Sequence, residues 1–77
     1  MRVIERVPLG LIDPDRLPPP MKTVGLVYHM VNGGAIPPVH LQPTPTGRFR
    51  VMDGRHRIRA SLMLGRETVL AKYAVSA

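Results

Sequence analysis

One glycine stands where two runs of different period meet, and that junction limits what the chain can become. Arg48-Phe49-Arg50-Val51-Met52 alternates basic and apolar side chains, the period of a half-buried strand. Arg55 to Leu64 reads as a helix, with Gly65 placed to cap its C-terminus. Gly54 lies between the two runs. Glycine allows a sharp turn and lets backbone come close to a neighbour or a ligand. A strand feeding a helix through such a turn predicts an α/β or α+β fold.

The rest of the chain supplies three more strands and one more helix. Val3 to Val7 reads as a first strand, followed by turn chemistry from Pro8 to Asp15. Pro18-Pro19-Pro20 is a stiff lead-in, with Pro20 in the first turn of a helix. Val24, Val27, Tyr28 and Val31 recur at the helical period, and Asn32-Gly33-Gly34 stops that helix. Gly25 inside it costs about 1 kcal/mol relative to alanine, so a close packing contact or a ligand approach is expected there. Pro37 to Gln42 reads as a second strand, Pro43 to Gly47 as a hairpin loop, and Glu67 to Val75 as the last strand. The expected order is strand, helix, strand, strand, helix, strand: a small mixed sheet with two helices, in a single domain spanning residues 1–77.

Composition narrows the function. The chain has no cysteine, which removes thiol catalysis and disulfides. No apolar run approaches the ~20 residues of a membrane span, so a cytoplasmic location without membrane contact is expected. Eleven Lys plus Arg against five Asp plus Glu give a net charge of +6, a bias that suits polyanions such as nucleotides, DNA or RNA. Only Tyr28, Phe49 and Tyr73 are aromatic, too few for a base-stacking platform.

The residues at the glycine turn carry the chemistry. Free N–H groups at a helix start favour an anion, and Arg55, His56 and Arg57 crowd the same turn. Arg57 is a cation in the first helical turn, which is unfavourable unless an anion is bound. His56 is either a packed histidine or one that touches a phosphate or moves a proton. Asp53 either caps the helix or holds Mg²⁺ and acts as a general base, which makes Asp53 and His56 the catalytic candidates of a minimal metal-dependent nuclease or NTPase. The other acids make no paired motif with Asp53, and the three histidines have no metal-ligand spacing.

At about 100° per residue, Arg55, Arg59 and Arg66 share one stripe of the second helix, while Ala60, Met63 and Leu64 are expected to face the sheet. The stripe is either a solvated face or a phosphate ridge, which Arg48 and Arg50 on the preceding strand would extend into a nucleic-acid surface. Leu62 on the same stripe suggests a third use: a contact with another protein or a second copy of the chain through Arg55, Arg59 and Leu62.

Asp53 to Gly65, DGRHRIRASLMLG, resembles the helix-opening motif of the ParB/sulfiredoxin superfamily. Asn32 to Val39, NGGAIPPV, resembles its segment between first helix and second strand, and Gly65 to Lys72 is similar to the sulfiredoxin ending. The resemblance covers nearly the whole chain. It implies a nucleotide-phosphate site at Gly54, His56 and Arg57, to which Arg55 of the same turn adds a charge, with Lys22 matching a nucleotide-contacting lysine, and ATP or CTP with Mg²⁺ as ligand. The sulfiredoxin cysteine falls at Arg55 here, so peroxiredoxin repair is excluded. Two hydroxyl positions of the sulfiredoxins fall at Gly25 and His29. Asp53 and His56 depart from the GERR-type motif of ParB and are closer to a kinase-like branch. That branch also needs an acid on the first helix, and none is present there. No helix-turn-helix follows within the 77 residues.

Overall fold

The computed structural model describes residues 1–75. Strands β1 (Arg2–Pro8), β2 (Val39–Pro43), β3 (Phe49–Asp53) and β4 (Thr68–Ala74) form one mixed sheet in the order β1-β4-β2-β3. β1 is antiparallel to β4, β4 is parallel to β2, and β2 is antiparallel to β3. Helices α1 (Val24–Val31) and α2 (Arg55–Met63) follow β1 and β3 in the chain. The expected element order and the mixed sheet with two helices are therefore present.

Alternation explains the strands. Val7, Val39, Leu41, Val51, Val69 and Ala71 point to one face and are buried, together with Ile58 of α2 and Leu9 and Ile12 of the loop after β1. Phe49 and Tyr73 close the far end of this core with ring centroids 5.0 Å apart, a tilted aromatic contact. The Tyr73 hydroxyl donates to Glu5 at the sheet margin. That bond to the Glu5 carboxylate, then burial and the carboxylate's charge, raise the phenol pKa above its ordinary value.

The first helix departs from expectation in two ways. The prolines lead into a 3-10 turn over Pro20–Thr23, and the α-helix proper begins at Val24. Its apolar period is real, but Val24, Tyr28 and Val31 are 59%, 72% and 63% exposed, whereas Met30 and Thr23 are buried. Thr23 turns its hydroxyl back onto the Pro20 carbonyl at 2.8 Å and lies 3.2 Å from the Met63 sulfur of α2. The close packing contact allowed for at Gly25 is absent, because a side chain there would meet open space. The helix ends as expected, with Gly33 at φ +79° and its N–H on the Met30 carbonyl.

In α2 the inward residues are Ile58, Ala60 and Ser61. Ala60 was expected there; Met63 is exposed and Leu64 only half-buried. The helix meets the sheet and the 3-10 turn at once, so its covered side is wider and rotated from the one that period alone gives.

Candidate phosphate-binding site

The helix start is locked to the sheet by Gly54. Its φ is +107°, a conformation that side chains rarely adopt. A Cβ there would lie 2.7 Å from Val39 Cγ1 and 3.3 Å from Val39 Cα. The close approach anticipated at this glycine is thus an approach to β2. It brings the first turn of α2 against the middle of the sheet.

No side chain caps this helix. The first intrahelical bond runs from the Ile58 N–H to the Gly54 carbonyl at 3.0 Å, so the N–H groups of Arg55, His56 and Arg57 have no acceptor within the helix. Asp53 does not take the capping role allowed to it. Its carboxylate instead accepts from Arg57 Nη2 at 3.1 Å, and most of it is exposed.

The three arginines of α2 nearest the turn are held rather than loose. Arg57 Nη1 donates to the carbonyls of Pro37 and Pro38 at 2.9 and 2.8 Å, which fixes the loop between α1 and β2. Arg55 Nη2 donates to the Val51 carbonyl at 3.0 Å, while its Nε is buried without a partner. Arg59 Nε donates to the Pro18 carbonyl at 2.8 Å. The Arg55, Arg59, Arg66 stripe is therefore neither a free ridge nor a wholly solvated face: two members are tied to backbone, and only Arg66 stands exposed. Arg48 is also engaged, with Nε 2.6 Å from Asp13 Oδ1 and Nη1 on the Gly10 carbonyl at 3.2 Å.

These bonds shape the segment from residue 9 to residue 18. Ile12 bridges to Phe49, the Asp13 N–H donates to the Phe49 carbonyl, Arg48 grips Asp13 and Arg59 grips Pro18. Between the two grips Arg16 adopts φ +60°, the left-handed region, and reaches the turn. A cavity of about 350 Å³ results, lined by residues 53–57 together with Arg16 and Pro18. It gathers Arg16, Arg55, Arg57, His56 and the open helix start around one carboxylate that is already paired.

Asp53, Gly54, Arg55, His56 and Arg57 thus meet in one place, and Arg16 joins them unannounced by any sequence pattern. Lys22 does not line this cavity, nor do Arg50 and Arg66. Leu62, expected at a protein contact, lines a hollow against Leu9, Ile12 and Leu17 of the same chain. His29 is structural: its Nε2 donates to the Ala35 carbonyl at 3.1 Å, and its ring fills the space beside Gly34. Among the described residues no group of three His, Asp or Glu could hold a metal ion. Asp53 alone is available at the turn, so Mg²⁺ would need ligand oxygens from a phosphate. No helix among the described residues is long and apolar enough to cross a membrane.

The fold recurs in solved structures. Sulfiredoxin from Arabidopsis thaliana superposes with a TM-score of 0.78 at 23% identity, over 96% of this chain and 86% of that one. ParB from Caulobacter crescentus, truncated at its C-terminus and crystallised with CTP-gamma-S, superposes with a TM-score of 0.71 at 22% identity, over 96% of this chain. The same protein complexed to the centromeric parS site gives 0.68 at 20% identity, over 95%. The present chain spans only 44% and 40% of those two ParB chains. At these identities the likeness establishes the fold. Among curated proteins, none matches the sequence. The ParB N-terminal domain family, however, matches residues 5–76, almost the whole length, and the chain belongs to that family.

Proposed function

We propose that this single domain is a cytoplasmic nucleotide-binding module that holds the phosphates of ATP or CTP, with Mg²⁺, at the α2 start, and that nucleic acid is its second partner. The observation that carries the first part is the cavity at the turn. Three guanidiniums and an exposed histidine surround uncapped helix N–H groups there, and that combination suits phosphate oxygens. Arg55 Nε, buried and without a partner, adds a donor that a bound anion would satisfy. Support from relatives is of the same kind, since the C. crescentus ParB that shares the fold was crystallised with CTP-gamma-S in one case and parS DNA in another. In this reading Gly54, Arg55, His56 and Arg57 bind phosphate, and Asp53 shares Mg²⁺ with the phosphate oxygens. Asp53 and His56 are also the groups that turnover would need.

Titration with ATP and with CTP, each with Mg²⁺, tests the site. The amides of residues 54–58 shift on binding. Arg16→Ala weakens binding by about 1.5–3 kcal/mol, the range for a hydrogen bond to a charged group. Arg16 is exposed and among the described residues makes no side-chain hydrogen bond or ion pair, so the fold stays intact. If neither nucleotide moves those amides at millimolar concentration, the phosphate reading is wrong.

A further inference from the structure

We propose that the open face of the sheet, the side away from the helices, is a docking surface for the sugar-phosphate backbone of duplex DNA. It gives a place to the nucleic-acid partner named above and does not rest on nucleotide at the turn. Strand register defines the face. Arg2 and Arg6 stand on β1, Lys72 on β4 and Arg50 on β3, each at a position whose neighbours along the strand point to the core. Pairing places Ile4 opposite Lys72 and Arg6 opposite Leu70. Among the described residues none of the four cations makes a side-chain hydrogen bond or ion pair, unlike Arg48, Arg55, Arg57 and Arg59. No acidic residue occupies an outward position of the four strands; at the β3 edge Asp13 and Asp15 of the preceding loop share a hollow with Arg50, and Asp13 is paired with Arg48. Glu5 lies in the inward row under the Tyr73 hydroxyl, and Asp53 is held by Arg57. Arg66 lies on the helix side of the β1 edge, in a hollow with Met30 and Ser61 that Arg6 also lines, and is not part of the open face.

Geometry and composition select the partner. β1 and β3 are the two edges, three strand spacings apart, or about 14 Å at the usual ~4.8 Å per strand. A major groove is ~12 Å wide, so cations at the two edges can meet phosphates on both of its sides. The exposed apolar side chains Ile4, Leu70 and Met52 are interleaved with the cations instead of pooled, whereas a membrane-binding face gathers its apolar residues on one side. No aromatic residue lies on this face, because Phe49 and Tyr73 point to the core and Tyr28 is on α1. Single strands would lack stacking partners, and duplex binding would be indifferent to sequence.

The test is the salt dependence of binding to a short duplex. Each phosphate contact contributes about 0.9 to the log–log slope. Changing Arg2, Arg6, Arg50 and Lys72 together to glutamine lowers the slope by roughly 3–4, and Arg16→Gln at the turn leaves it unchanged. The turn amides report whether the fourfold variant is folded; if it is not, Arg2→Gln and Arg50→Gln, at opposite edges, each lower the slope by about 0.9. A slope that survives the sheet substitutions but falls with Arg16→Gln places DNA at the turn and overturns the proposal. So does absence of duplex binding at low salt, or binding to phosphatidylglycerol vesicles alone. Loss of nucleotide shifts with duplex binding kept would overturn the nucleotide reading and leave this one standing.

Discussion

The two helices behave in opposite ways. α1 shows its most regular apolar stripe to solvent at Val24, Tyr28 and Val31, and buries Met30. α2 carries a charged stripe, yet Arg55 and Arg59 on it are half-buried and bonded to main-chain carbonyls. The period of a pattern marks a helix, but which stripe is covered depends on what lies beside it. In a chain of 77 residues there is little mass to cover every apolar stripe, and α1 packs mainly on α2 and the 3-10 turn. The arginines of α2 are drawn inward by a different need. Prolines interrupt the loops at residues 18 and 37–38, and the carbonyls there have no strand or helix partner. A guanidinium with five donors supplies that partner. The same residue type therefore stitches the proline loops in one place and stands unengaged on the sheet face in another.

The largest test of this contrast is Gly54→Ala. The helix start is fused to β2 at that position, with a positive φ and no room for a Cβ beside Val39. The backbone conformation costs about 1–2 kcal/mol for a side-chain residue, and overpacking adds ~1–3 kcal/mol. Chemical denaturation should show a loss of about 2–5 kcal/mol. A loss under 1 kcal/mol would mean that the turn is plastic and that α2 is no more firmly seated than α1.

A middle-sized effect separates the stitched arginines from the exposed one. Arg59→Gln removes the 2.8 Å bond to Pro18 and should cost near the low end of the ~1.5–3 kcal/mol range for charged hydrogen bonds. Arg66→Gln, from the same stripe, should change stability by less than ~0.5 kcal/mol. Equal effects would restore the stripe as one surface. Arg59→Gln should also blunt nucleotide binding, since release of Pro18 lets Arg16 drift from the turn.

Much of the architecture was legible in the chain because its punctuation is strong. Gly33, Gly54 and Gly65 take the left-handed or strained conformations expected at helix boundaries, and the Arg48 to Met52 alternation gives β3 its buried and exposed sides. The candidate site was half legible. Asp53 to Arg57 are contiguous, so one turn delivers them together. Arg16 was not, because its place depends on Arg48 and Arg59 gripping its loop across 35 and 41 residues of sequence. Arg57 was legible as important but for a partial reason: a cation at a helix start can be satisfied by carbonyls as well as by an anion.

The smallest effect concerns the glycine of the other helix. Gly25 sits in α1 with negative φ and open space where a Cβ would be. Alanine should fit without strain and reduce the freedom of the unfolded chain, raising stability by about 0.4–1 kcal/mol. In a domain of this size that is a rise of a few degrees in Tm. Nucleotide affinity should not change, since Gly25 lines no part of the turn cavity. The substitution asks whether α1 is only a cover or also a wall of the site. A rise in Tm with unchanged affinity keeps the helices distinct, one seated and functional, the other a partial lid on the core. A rise in Tm with weakened ATP or CTP binding would show that the glycine keeps space for a ligand. The exposed Val24 and Tyr28 face would then belong to the site, and the contrast between the helices would fail where it is now sharpest.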